Sequence, residues 1–161
     1  MVLSRSSGTN KSAASGPVPS FKGLRASSSL RTDLMRRNTR EGGRAERALR
    51  SELWRRGRRF RKHAKDLPGT PDLVFESARL CVFVDGDFWH GRQWTTRRRA
   101  LASGANSAYW LAKIFANRER DRRQTVALRR QNWNVVRLWE TDVLGDLAAA
   151  ASLVERAMDT K

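Results

Sequence analysis

Apolar residues first fall into a helical rhythm at Ala45, Ala48, Leu49 and Leu53 within "EGGRAERALRSELWRRG", and Gly57 supplies a stop. The spacing predicts a helix over roughly residues 43–56. "RRFRKH" is short enough for an edge strand. "KDLPGTP" carries turn chemistry, with Pro68, Gly69 and Pro71 enforcing extended or reversing backbone. The period then changes: "DLVFE" and "LCVFVD" are β-rich runs separated by "SAR", and they read as a hairpin. A basic stretch after Gly91 reads as a loop to about residue 106. "NSAYWLAKIFANRERDRRQTVALRRQ" is apolar at Trp110, Leu111, Ile114, Phe115, Val126 and Leu128, which predicts a long helix with Asn106 or Ser107 as its cap. "NVVRLWE" reads as a further strand, and "DVLGDLAAAASLVERAMD" as a terminal helix interrupted at Gly145.

The order helix, three strands, helix, strand, helix predicts an α/β (α+β) fold: a central mixed sheet of about four strands flanked by helices. Residues 1–34 are rich in Ser, Gly and basic residues without an apolar period, so they read as a disordered basic tail, passive or DNA-contacting. Residues 35–161 form the folded domain. At 161 residues the chain is long enough for one core and short for two.

Charge changes the picture. The net charge is +17, with 39% hydrophobic and 30% charged residues. Such an excess opposes self-association, which predicts a monomer, and attracts polyanions, nucleic acid before an anionic membrane surface. No apolar segment is long enough to cross a bilayer, and the N-terminus turns polar after three residues, unlike a signal peptide. The single cysteine, Cys81, excludes an internal disulfide and a Cys-rich zinc site within one chain. These features predict a soluble, cytoplasmic, nucleic-acid-facing protein.

Against that background, acids near the sheet stand out. Asp72 opens one strand of the hairpin, while Asp85, Asp87 and His90 follow the end of the other. A hairpin brings these two places to one sheet edge. Carboxylates gathered against a phosphodiester repel it unless hard cations lie between, and Mg²⁺ is the usual one. A neutral histidine beside them can take a proton from an attacking water. Lys113, Asn117 and Asp121 share one face of the long helix, suited to phosphate contact or to solvation. Phe88 and Trp89 follow the strand where turns usually carry small polar residues. They either cap the core or enter a base stack.

Taken together, "AERALRSEL", "LPGTPDLVF", "VFVDGDFWHG", "AYWLAKIFANRERDRR" and "NVVRLWETD" resemble the very-short-patch repair endonucleases, over about Met35 to Asp142. That family nicks duplex DNA beside T:G mismatches left by deamination of 5-methylcytosine, and the resemblance implies a restriction-endonuclease-like core in a bacterial, nucleoid-associated protein. It implies Asp72 as metal ligand, His90 as general base, Asp121 as support of that histidine, and Glu46 reaching the metal through water. The backbone carbonyl of Val84 completes the metal shell, one or two Mg²⁺ ions are expected, and Asp85 is a further candidate ligand. Phe88 and Trp89 match intercalating aromatics, and Met35 a wedge from the opposite groove; Lys113, Asn117 and Arg118 are candidate DNA contacts. Two departures stand out. The family's zinc positions read Asp87, Arg92 and neighbours without Cys, so no zinc is expected, and the loop after Gly91 must be held by other means, with Trp94 as a candidate. Asp85 also stands where some relatives carry a second histidine. Two rival readings keep the same fold: a restriction, defence or mobile-element nuclease without mismatch preference, and a catalytically inactive DNA-binding protein.

Overall fold

The protein is described by a computed structural model for residues 43–159 except Ala105. Met35 and the tail of residues 1–34 lie outside the described residues. Among the described residues, five helices and four strands follow one another. Helix α1 spans Arg44–Arg55, with strands β1 (Arg61–Lys62), β2 (Leu73–Phe75) and β3 (Leu80–Asp85) after it. Then come α2 (Trp94–Ala102), α3 (Ser107–Arg130), β4 (Asn134–Trp139), α4 (Glu140–Gly145) and α5 (Leu147–Asp159).

The four strands form one mixed sheet in the order β1-β2-β3-β4. The hairpin pairs β2 and β3 antiparallel, with Leu73 opposite Val82 and Phe75 opposite Leu80. The long helix α3 then carries the chain across so that β4 runs parallel to β3, with Leu80 opposite Asn134 and Asp85 opposite Trp139. Such a parallel return needs a long crossover, which α3 supplies.

The alternation of side chains across a strand gives the sheet two buried faces. Leu73, Phe75, Leu80 and Val82 pack with Ala45, Leu49 and Leu53 of α1 and with Val143, Ala151 and Val154 of α4 and α5. Val74, Cys81 and Phe83 point the other way, onto Ala64, Leu128 and Trp133. Cys81 is fully buried, and burial pushes its thiol up to about 12, so it is an unreactive core residue.

Three details depart from the pattern-based expectation. Residues 94–102 form a helix, not a loop. "TTRRRALA" contains no Gly or Pro and is rich in good helix formers, but the helix buries no residue, so it leaves no apolar stripe to read. The terminal helix is divided after Gly145, and the Asp146 carboxylate restarts it by accepting the Ala149 N–H at 2.8 Å. Phe115 is 58% exposed despite its place among the apolar residues of α3.

The turn after β3 is pressed against α3 at Gly91. Its backbone lies in the left-handed region at φ +69°, and a Cβ there would sit 2.9 Å from Ile114 Cγ2 and 3.1 Å from Arg118 Cδ. Gly91→Ala is expected to lower stability by about 1–3 kcal/mol, from backbone strain and overpacking together. Chemical denaturation of the two proteins checks this.

Candidate active site

Pairing in the hairpin fixes the first residue of the site. Asp72 N–H donates to the Val82 carbonyl at 3.0 Å. The Asp72 carboxylate in turn accepts the Val84 N–H at 2.7 Å. A cleft of about 440 Å³ opens here, lined by Asp72, Val84, Asp85, His90, Asp121 and Arg137, with the Gly69–Thr70 turn, Arg120 and Gln124 at its walls. The hairpin thus brings Asp72 and the Asp85–His90 segment to one edge, and α3 delivers Asp121 from the other side.

His90 and Asp121 form a directed pair. His90 Nδ1 lies 2.6 Å from Asp121 Oδ2. Burial pushes the Asp121 carboxyl up, but the hydrogen bond from His90 and the charges of His90, Arg137 and Arg120 outweigh it and hold the group below its ordinary value. An ionised carboxylate can only accept, so Nδ1 carries a proton, which in the neutral ring leaves the lone pair on Nε2. That is the tautomer a general base requires.

Asp85 is placed differently from a metal ligand. Its two oxygens accept a bidentate pair from Arg137 of β4, both at 2.6 Å, and its side chain is 8% exposed. Burial opposes charge on Arg137, but the hydrogen bond and charge of Asp85 more than restore it. Each Asp85 oxygen therefore accepts one guanidinium N–H. Asp85 also stands 3.5 Å from His90 Nδ1, as an outer charge beside the His90–Asp121 pair.

The group that can hold a cation is Glu46, His63 and Asp72, whose ligand atoms lie within 4.8 Å of one another. Glu46 comes from the first turn of α1, Asp72 from the start of β2, and His63 from the end of β1. Asp72 has no ion-pair partner among the described residues. Burial first, eased by the Val84 N–H and then reinforced by Glu46 and Asp85, pushes its carboxyl up to about 6. Two carboxylates and an imidazole, one carboxylate lacking a countercharge, fit a divalent cation. His63 was missed by the sequence reading because it belongs to no motif; only its position two residues before the "KDLPGTP" turn hinted at it.

Phe88 and Trp89 lie in an aromatic cluster with a third ring. Their centroids are 5.3 Å apart, and Trp110 of α3 stands 5.4 Å from Phe88 and 5.9 Å from Trp89. All three rings are half-buried. Trp110 reads as a core position in the sequence, and only folding of α3 shows it among these aromatics. Asn117 is 7% exposed, and its amide donates to the Trp89 carbonyl at 3.0 Å, so it supports the aromatic segment from below. Arg118 donates to the Gly91 carbonyl at 3.1 Å and lies 5.6 Å from the Trp94 ring. Lys113 stays half-buried on the same helix.

The question of what holds the segment after Gly91 has a specific answer in Arg92. Its guanidinium donates to Asp87 at 3.3 Å, to Asp142 at 2.6 Å and to the Thr141 hydroxyl. The Thr141 hydroxyl donates onward to Asp87 at 3.0 Å. One cation therefore joins the turn after β3 to the first turn of α4. Trp94 packs beside Gly91 as a second support.

A mixed four-stranded sheet flanked by helices, with carboxylates and a carboxylate-held histidine at one edge, has the architecture of a restriction-endonuclease-like nuclease. A family model described as DNA mismatch endonuclease Vsr matches residues 26–96. The type II nicking enzyme V.NmeDIP of Neisseria meningitidis serogroup C is 35% identical over 131 residues, 81% of this chain and 87% of that protein. V.XorIIP of Xanthomonas oryzae pv. oryzae, a type II nicking enzyme, is 45% identical over 64% of this chain and 73% of its own length. The DNA mismatch endonuclease Vsr of Escherichia coli K12 is 35% identical over 55% of each chain. The chain belongs to the Vsr family, and it is a DNA endonuclease. No helix among the described residues is long and apolar enough to cross a membrane.

Asp72 makes a pH signature. Its raised value means that the folded protein binds a proton more tightly than the unfolded chain. The metal-free protein therefore loses stability as pH rises from about 4, the ordinary carboxyl value, and the loss is complete above about 6. Asp72→Asn is expected to stabilise the metal-free protein at pH 7.5 by on the order of 2 kcal/mol and to have little effect at pH 4. Urea titrations at the two pH values check this. Arg92→Ala is expected to cost about 1–3 kcal/mol by leaving Asp87 and Asp142 without their shared donor, and hydrogen exchange of residues 87–94 should speed up.

Proposed function

We propose that this endonuclease is Mg²⁺-dependent and nicks double-stranded DNA next to T:G mismatches, leaving 5′-phosphate and 3′-hydroxyl ends. The observation that carries the reading is adjacency. The ring cluster Phe88, Trp89 and Trp110 continues directly into His90, so a base step held by the rings presents its phosphodiester to the cleft. The E. coli relative's name as a DNA mismatch endonuclease supports a mismatched substrate.

In this reading Phe88 and Trp89, backed by Trp110, insert at the mismatch, where a poorly stacked pair opens at least cost. Met35 enters from the opposite groove, and Lys113 and Arg118 contact phosphates. His90 Nε2 takes the proton of the attacking water. Asp121 keeps Nδ1 protonated and stabilises the imidazolium that forms. Glu46, His63, Asp72 and the Val84 carbonyl would hold the cation, which would supply neutralisation of phosphodiester charge in a cleft already crowded with carboxylates. Arg137 pairs with Asp85 and offsets its charge, so Asp85 adds only a minor part of that repulsion.

Labelled T:G, matched G:C and single-stranded substrates separate the readings. Nicking of the T-bearing strand only, dependent on Mg²⁺ and abolished in Asp72→Ala, is the expected result. His90→Ala should lose about 10²–10⁴-fold in rate. Equal cleavage of matched duplex would replace this reading with a nuclease lacking mismatch preference, and intact binding with no cleavage under any divalent metal would leave only a DNA-binding role. Trp89→Ala should erode T:G discrimination far more than salt-sensitive binding to matched DNA; unchanged discrimination would sink the wedge.

A further inference from the structure

We infer that His63 is a nitrogen ligand of the divalent cation, and that Arg50 holds the cation's place until the metal loads. This rests on the reading of Asp72 as part of a metal site and specifies its other members.

His63 is set by its backbone. It adopts φ +46°, uncommon for a residue other than glycine, while its N–H donates to the Asp72 carbonyl at 3.2 Å. The chain thereby turns the imidazole toward the carboxylates: Nε2 stands 3.4 Å from Glu46 Oε1. Arg50 lies one turn after Glu46 on α1. Its Nη1 donates to Glu46 Oε1 at 2.8 Å and lies 3.3 Å from His63 Nε2. With the ring proton on Nδ1, Nε2 accepts from the guanidinium and presents the lone pair that a metal takes.

The guanidinium occupies the space between two members of the ligand group. Arg50 balances Glu46 and leaves Asp72 without an ion-pair partner among the described residues; a divalent cation would balance both carboxylates. A metal bound through Glu46 Oε1 and His63 Nε2 would compete with the Arg50 guanidinium for the same two atoms. The arginine has somewhere to go. It also lines a groove of about 670 Å³ with Trp54, Phe60 and Lys62. An imidazole ligand carries a consequence for selectivity: it favours Mn²⁺ over Mg²⁺ and Ca²⁺, which bind through oxygen.

Mn²⁺ binding to the full-length protein without DNA tests this by electron paramagnetic resonance, reading affinity from the free-ion signal and ligand type from ¹⁴N modulation of the bound ion. The expected result is ¹⁴N modulation in wild type that is retained in His90→Gln and lost in His63→Gln, with affinity in His63→Gln roughly tenfold weaker. Arg50→Gln should keep the modulation and bind Mn²⁺ roughly two- to fivefold more tightly. Modulation that survives in His63→Gln, or is absent from wild type, overturns the ligand assignment while Asp72→Ala still abolishes binding. Weaker binding in Arg50→Gln overturns the place-holder. Undiminished binding in Asp72→Ala would instead remove the metal-site reading beneath both.

Discussion

Repulsion among carboxylates drawn into one low-dielectric cleft is the constraint on which the rest of this structure depends. Glu46, Asp85 and Asp121 are buried, and Asp72 is half-buried between them. Strand pairing and helix packing put them there, so each charge must be balanced or withdrawn. Three have a basic partner: Arg50 for Glu46, Arg137 for Asp85 and His90 for Asp121. Asp72 has the Val84 N–H but no ion-pair partner among the described residues, and burial, reinforced by Glu46 and Asp85, pushes its carboxyl up to about 6. The unbalanced charge of the cleft is thus concentrated at one residue, in the same cleft as the His90–Asp121 pair.

Each partner comes from a different element, and this explains why the whole fold is needed for the site. Arg137 faces Asp85 only because β4 runs parallel to β3, and Asp121 reaches His90 only because α3 crosses between those strands. The segment from Asp87 to Trp94 is then held at three points: by Arg92 to α4, by the Asn117 amide at Trp89, and by close packing of Gly91 on α3. A guanidinium with carboxylate and hydroxyl partners at Asp87, Asp142 and Thr141 fixes the turn that carries the aromatic rings. Rigidity there serves orientation, because His90 follows Trp89 directly in the chain.

Much of this was legible in the residues because it depends on local rules. The hairpin follows from two β-rich runs and a short turn, and it alone brings Asp72 to the Asp85–His90 segment. The anchors of the family resemblance point to the nuclease class that the relatives share. What the sequence could not show depends on distant register. Nothing in "NVVRLWE" says that Arg137 will meet Asp85, since parallel pairing leaves no mark on either strand. His63 reaches the carboxylates through a left-handed backbone at a turn, and Arg92 through contacts some fifty residues away. Trp110 has the spacing of a core residue and becomes part of the ring cluster only when α3 folds against the turn. Helix α2 buries nothing, so no apolar stripe announced it.

The most direct test of the account is the titration of the Asp72 carboxyl itself, followed by ¹³C nuclear magnetic resonance with and without saturating Mg²⁺. The account predicts a midpoint near 6 in the metal-free protein, falling below the ordinary carboxyl value of about 4 once Mg²⁺ is bound. A midpoint near 4 that Mg²⁺ leaves unmoved would contradict it, because the cleft would then hold no unbalanced charge for a cation to meet.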